Sequence, residues 1–311
     1  MNQVPGAGRG MLFVPSAAAR LDGVVVMLPG SGGGLGPGLV RAPQPFAAAG
    51  RRATHGALYV RLALEVATGR RYSWAFKETG ADVSDQSRCA ALLMDWSVIP
   101  RTRLRRRDML EAGVSDAKAA LRFVQRRFAG APIVVVGFSW GGCVLWSALS
   151  EIANDDDCAG AVAIAGSARG GAQLEAAGLD SIAGVRACAE RGGALLFLHG
   201  THDKNVATQV ADFLFDAAQT DLKRLVKFNR AQHMFDTARD VAYAELQSWT
   251  RAALARKREA AVDFKALSGV AARGRPLNDP NAGRLLPSRR RLAKVAVAPG
   301  HALSGLVGYS E

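Results

Sequence analysis

Residues 132–142 read Pro-Ile-Val-Val-Val-Gly-Phe-Ser-Trp-Gly-Gly, and the fold follows from them. A β-branched run ends in Gly137, a serine sits two places on, and Gly141 and Gly142 follow. This is the G-x-S-x-G spacing of an elbow between strand and helix that presents a nucleophilic serine. The glycines are required because the serine occupies a strained turn, where a Cβ on either flank would collide with neighbouring backbone. Such a turn aims the Ser139 hydroxyl off the end of a sheet. It leaves the first amides of the next helix, beginning with Trp140, free to receive a developing oxyanion. The helix-like CVLWSALSEI at 143–152 separates this reading from the alternative, a buried turn serine.

Outward from the elbow, strand and helix patterns alternate. Residues 11–14, 23–28, 89–95, 133–136, 159–166, 195–200 and 222–228 read as strands, several of them continuously apolar. Residues 57–68, 108–128, 140–152, 206–219 and 239–256 carry apolar positions at helical spacing. This alternation predicts an α/β protein: a three-layer, doubly wound, mostly parallel sheet covered on both faces. Residues 69–88 (GRRYSWAFKETGADVSDQSR) are polar and aperiodic and read as an inserted loop or lid. After about residue 258, prolines, isolated glycines and the cluster Arg289–Arg291 interrupt every period. The expected division is therefore a catalytic domain over 1–258 and a flexible basic tail over 259–311.

The charge follows the same division. The chain of 311 residues carries a net +13. From Arg251 onward, twelve Lys/Arg face four Asp/Glu, a balance of +8, which leaves +5 for residues 1–250. Basicity is mostly a property of the tail. No apolar run approaches the ~20 residues of a membrane span. The N-terminus lacks the apolar core of a secretory signal and reads as the start of the fold. Cys89, Cys143, Cys158 and Cys188 are scattered, with no CxxC pair and no His at ligand spacing. They read as buried reduced thiols of a cytoplasmic protein, not as structural zinc ligands.

A serine nucleophile needs a base within hydrogen-bond reach and an acid that orients the base. In an open parallel sheet, all three should lie on loops at the carboxyl ends of strands. Asp203, in LFLHGTHDKNV, follows one strand 64 residues after Ser139; His233, in KFNRAQHMFD, follows the next strand 30 residues later. Asp203 could instead cap a helix beginning near Val206. His202 competes as base, His199 reads as a core histidine within a strand, and His55 and His301 have no supporting context. A second oxyanion amide should come from the Gly-rich loop Leu28-Pro-Gly-Ser-Gly-Gly-Gly34, at Ser31 or Gly32. That loop matches neither the P-loop nor the G-x-G-x-x-G pattern in frame with a helix. Ser167 and Arg169 leave one strand near the same edge, and Trp96 and Arg101 leave another. Ser167, Arg169 and Trp96 are candidate substrate contacts; a carboxylate or phosphate would suit Arg169 or Arg101.

On PGSGGG, GFSWGG, HGTHDKNV and AQHMFD the chain resembles the α/β-hydrolase superfamily, in particular dienelactone-hydrolase-like and serine esterase-like members, from about Leu21 to Ala255. The resemblance implies Ser139 as nucleophile, Asp203 as acid and His233 as base, with Trp140 and Ser31 or Gly32 forming the oxyanion hole. It implies hydrolysis of an ester, thioester or lactone of a small acyl substrate through an acyl-enzyme, with no metal or organic cofactor. The chain departs from many members in carrying Leu-Pro-Gly where they have His-Gly, and residues 69–88 have no counterpart. Two alternatives stand beside the hydrolase. One is a catalytically silent binding protein of the same fold whose tail engages nucleic acid or an anionic surface. The tail has only Phe264 and Tyr309 to stack on bases. The other alternative transfers the acyl group to an acceptor other than water.

Overall fold

The computed structural model describes residues 10–15, 21–31, 55–72, 78–82, 89–97, 106–151, 157–169 and 179–258. The expected tail lies outside them. The strands are β1 (Gly10–Phe13), β2 (Gly23–Leu28), β3 (Arg70–Tyr72), β4 (Glu78–Asp82), β5 (Cys89–Met94), β6 (Ile133–Phe138), β7 (Cys158–Ile164), β8 (Ala194–Gly200) and β9 (Lys223–Phe228). The helices are α1 (His55–Thr68), α2 (Arg106–Arg127), α3 (Trp140–Glu151), α4 (Ser181–Glu190), α5 (Gln209–Ala217) and α6 (Arg239–Arg258).

Seven strands form one sheet in the order β1-β5-β2-β6-β7-β8-β9. Within this sheet, among the described residues, only the β1–β5 pair is antiparallel. The continuously apolar strands β2, β5, β6, β7 and β8 are buried along their whole length, as a sheet covered on both faces demands. Alternate residues serve opposite cores. Val24, Val26, Val135, Leu195 and Phe197 pack with residues of α2, α3, α4 and α5. Val25, Met27, Val134, Leu196 and Leu198 pack with residues of α1 and α6. The architecture is the three-layer α/β sandwich that the strand pattern predicts.

The chain runs from β2 outward to β5 and returns across β2 to β6, so strand order reverses between β2 and β6. At such a switch point the loops leaving adjacent strands part and open a crevice at their carboxyl ends. In the β2–β6 register Leu28 sits opposite Gly137, which sets Pro29 and Gly30 beside the turn at Ser139. In the β8–β9 register Gly200 sits opposite Phe228, which sets the Asp203 loop beside the His233 loop.

Two elements depart from the sequence reading. Residues 69–88 contain the antiparallel pair β3–β4, with Arg70 opposite Asp82 and Tyr72 opposite Glu78. Its glue is polar, which conceals the alternation: Arg70 Nη1 donates to both Glu78 carboxylate oxygens at 2.9 Å. The Tyr72 amide donates to buried Glu65 Oε1 on α1 at 3.0 Å. Helix α4, for which no periodicity was read, is started by Asp180, whose Oδ1 accepts from the amides of Ile182 (2.6 Å) and Ala183 (3.2 Å). It packs tightly on α3, since a Cβ at Gly184 would meet the backbone of Trp146.

At the far edge, each cation of β9 is tied to a neighbouring helix or its end. Lys223 Nζ donates to Phe215 O (2.7 Å) and Ala218 O (2.6 Å), Arg224 pairs with Glu245 (2.9 Å) and Lys227 with Asp212 (2.6 Å). No helix among the described residues is long and apolar enough to cross a membrane.

Candidate active site

Ser139 follows β6 directly and has φ 52°, in the left-handed region that disfavours a side chain. The surroundings hold it there. Its amide donates to Ile164 O at 2.9 Å, and its carbonyl accepts from the Gly142 amide (2.9 Å), the Ser167 amide (3.0 Å) and Ser167 Oγ (3.2 Å). The flanking glycines leave no room for a methyl group. A Cβ at Gly137 would meet Gly141 O, and one at Gly141 would meet the Leu28 and Pro29 carbonyl oxygens. Helix α3 begins at Trp140, so the Trp140 amide lies in a first turn whose N–H groups have no intrahelical acceptor. The described non-glycine residues with positive φ are Ser139, Ala165, Arg230 and Phe235. All four lie beyond the carboxyl ends of β6, β7 and β9, where strain is expected to gather around a reactive centre.

Asp203 and His233 meet across the adjacent loops after β8 and β9, with His233 Nδ1 2.7 Å from Asp203 Oδ2. The Asp203 side chain is fully buried, whereas that of His233 keeps 12% of its exposure. Asp203 Oδ1 accepts from the amides of Asn205 (2.8 Å) and Val206 (2.9 Å). These bonds close a turn and not a helix cap: α5 starts three residues later than expected, at Gln209. Burial works to raise the Asp203 pKa. Hydrogen bonds from His199 and His233, the charge of His233 and the Val206 amide outweigh it and hold the carboxyl well below the ordinary range. The imidazole of His233 also packs on Phe138, the residue before Ser139, with ring centroids 5.1 Å apart.

His199 differs from its expected place as a satisfied core histidine. It is buried in β8, but its Nε2 lies 2.9 Å from Val206 O and 3.3 Å from Asp203 Oδ2, and its Nδ1 has no protein partner. The signal was present in the four-residue spacing His199–Asp203 across a strand exit. His202 is exposed, with Nδ1 3.1 Å from Thr201 Oγ1.

The loop after β2 borders the elbow: a Cβ at Gly30 would sit 3.6 Å from that of Ser139. Two buried side chains fix this loop. Trp96 Nε1 donates to Gly30 O at 3.0 Å, and Tyr59 Oη donates to Leu28 O at 2.9 Å. Nothing in the sequence around Tyr59 signalled this. Ser31 is exposed, and Gly32 lies outside the described residues. Ser167, 1% exposed, turns its hydroxyl to the Ser139 carbonyl. The Arg169 amide donates to Ser181 Oγ at 2.9 Å. Arg101 and His301 lie outside the described residues. All four cysteines are buried free thiols. Among the described residues, no three His, Cys, Asp or Glu side chains form a group that could hold a metal.

The fold is the α/β-hydrolase fold, which the chain shares with solved structures at low sequence identity. Solved structures with this fold include Est1E from Butyrivibrio proteoclasticus bound to ferulic acid (11% identity, TM-score 0.53, covering 79% of this chain and 95% of that one). A candidate dienelactone hydrolase from Klebsiella pneumoniae matches at 14% identity and TM-score 0.52, over 80% of this chain and 96% of that one. Thermogutta terrifontis esterase 2 phosphorylated by paraoxon matches at 16% identity and TM-score 0.50, over 77% and 86%. No protein-family model and no curated protein matches the sequence.

Proposed function

We propose that the chain is a serine hydrolase that cleaves an ester, thioester or lactone through an acyl-enzyme on Ser139. The observation that carries this reading is the 2.7 Å Asp203–His233 pair, packed through Phe138 against the strained turn bearing Ser139. Asp203 accepts a hydrogen bond from Nδ1–H and stays ionised, which leaves Nε2 as the basic nitrogen of His233. Nε2 takes the Ser139 proton as Oγ attacks the substrate carbonyl and the oxyanion collapses toward the amides of Trp140 and of Ser31 or Gly32. The imidazolium then protonates the departing alcohol or thiol. Water, deprotonated by the same nitrogen, attacks the acyl-enzyme and releases the acid and Ser139. Losing one oxyanion donor should raise the barrier by ~3 kcal/mol.

The bonding of Trp96 and Ser167 favours support over direct substrate contact. Trp96 steadies the loop that offers the second amide, and Ser167 steadies the nucleophile's own carbonyl. Arg169, on the loop leaving β7, remains the candidate for an anionic group on the substrate.

The test is reaction with a fluorophosphonate probe alongside a panel of short-chain esters and thioesters. The wild-type protein should label on Ser139 and hydrolyse members of the panel, and Ser139→Ala should do neither. A folded wild-type protein that fails at both overturns the reading.

A further inference from the structure

A buried histidine lies behind this site and is not one of the three residues assigned to the reaction. Four N–H groups converge on the buried Asp203 carboxylate: the Asn205 and Val206 amides on Oδ1, His233 Nδ1 on Oδ2, and His199 Nε2 at 3.3 Å from the same Oδ2. Since the Val206 carbonyl can only accept, the 2.9 Å contact makes Nε2 the protonated nitrogen of His199. The same nitrogen lies 3.3 Å from Asp203 Oδ2, within reach of the proton it shares with Val206 O. Val206 in turn donates its own amide to Asp203 Oδ1, so His199, Val206 and Asp203 close a ring of contacts inside the protein. His199 is 1% exposed and is held as the penultimate residue of strand β8. Lys227, its register partner on β9, is committed to Asp212 at 2.6 Å and does not compete for the carboxylate.

The geometry points to His199 as a positioning residue that fixes the Asp203 carboxylate from behind, so that Oδ2 meets His233 in one orientation. This inference rests on the serine hydrolase reading. A carboxylate held by two donors on one oxygen could still rotate about its Cβ–Cγ bond as His233 changes charge. A further donor on the second oxygen, from an imidazole locked in a strand, opposes that rotation. His199 also contributes the largest of the interactions that keep Asp203 ionised against its burial.

The experiment compares His199→Leu and His199→Asn, which remove the donor at the Nε2 position, with His199→Gln, whose longer amide reaches it. Expected are a fall in kcat of about tenfold for the first two, matching one hydrogen bond to a charged group, with KM held within about twofold. The far-downfield proton resonance of the His233 Nδ1–H should weaken or move upfield in both. His199→Gln should keep both the rate and the resonance. Wild-type kcat and resonance in the Leu or Asn variant overturns the inference, as does an equal loss in all three, which a packing role alone would produce. Nitrogen chemical shifts of the wild-type protein give a further readout that needs no variant: they should show His199 as the Nε2–H tautomer, and the opposite tautomer overturns the inference. Failure of the underlying reading is seen separately, as a wild-type protein that the fluorophosphonate does not label on Ser139.

Discussion

The ring of Phe138 and the imidazole of His233 pack 5.1 Å apart, tilted by 51°. The contact joins the strand that carries the elbow to the loop that carries the candidate base. It places the two without any bond between their backbones. Phe138→Leu keeps an apolar side chain there but removes the flat surface against the imidazole. Aromatic contacts of this kind contribute about 1 kcal/mol beyond area burial. The variant should lose about that much stability in a denaturant melt, and kcat should fall a few-fold with KM little changed.

Ser139 is the proposed nucleophile and sits in a strained turn, and substitutions separate the two. Ser139→Ala keeps a Cβ at φ 52°, whereas Ser139→Gly does not. Both should abolish probe labelling and ester hydrolysis. The Gly variant should be the more stable by about 1 kcal/mol, the cost of a Cβ in the left-handed region less the extra freedom of an unfolded glycine. Equal stability of the two would mean that the turn is not strained.

Under the proposed mechanism, Asp203 links activity to acid stability. Its folded-state pKa lies below that of an unfolded aspartate, about 3.9. The unfolded chain therefore takes up a proton first as pH falls. The stabilisation is complete above about pH 5 and is lost as pH drops toward the folded-state value. Asp203→Asn should be less stable than wild type at pH 7, and the gap should narrow below about pH 4 in unfolding measured across pH. Its kcat at neutral pH should fall by about 10³–10⁴, because the amide can impose the wrong tautomer on His233.

Trp96→Phe tests the loop after β2. It preserves the buried ring and deletes the N–H that donates to Gly30 O, leaving that carbonyl short of a donor. The expected result is a loss of about 1–2 kcal/mol in stability and about tenfold in kcat, with labelling by the probe slowed in proportion.

Gly184→Ala should be the most damaging single methyl addition away from the chemistry. Its Cβ would meet the carbonyl of Trp146 within α3, and backbone cannot step aside as a side-chain tip can. A loss of about 3 kcal/mol or more is expected by chemical denaturation, with activity lost through unfolding and not through the site.

The parallel sheet was legible because β2, β5, β6, β7 and β8 are unbroken apolar runs, a pattern that burial on both faces imposes. Ser139 and Asp203 each sit just beyond such a run, and His233 follows β9, whose pattern is mixed, so strand exits are what bring the three candidates to notice. What stayed hidden depended on contacts between segments far apart in the chain. The β3–β4 pair is held by Arg70–Glu78 and by the Tyr72 amide on Glu65, so no hydrophobic period marks it. Helix α4 is rich in Ala and Gly because it lies against α3, and those small residues give little amphipathic signal. The bond from Tyr59 to Leu28 O spans 31 residues, and no local pattern announces it. His199 is a core residue of β8 as the sequence suggests, but its approach to Asp203 and its partnerless Nδ1 emerge only through the fold.

The cations of β9 bear on how copies of this chain can meet. An outermost strand offers open amide and carbonyl groups, a template onto which another chain can add and so begin aggregation. Here Lys223, Arg224 and Lys227 hold adjoining helices to that border. A strand arriving from solvent would have to displace these tethers or set its own backbone against three positive charges, so growth by stacking subunits along this margin is disfavoured.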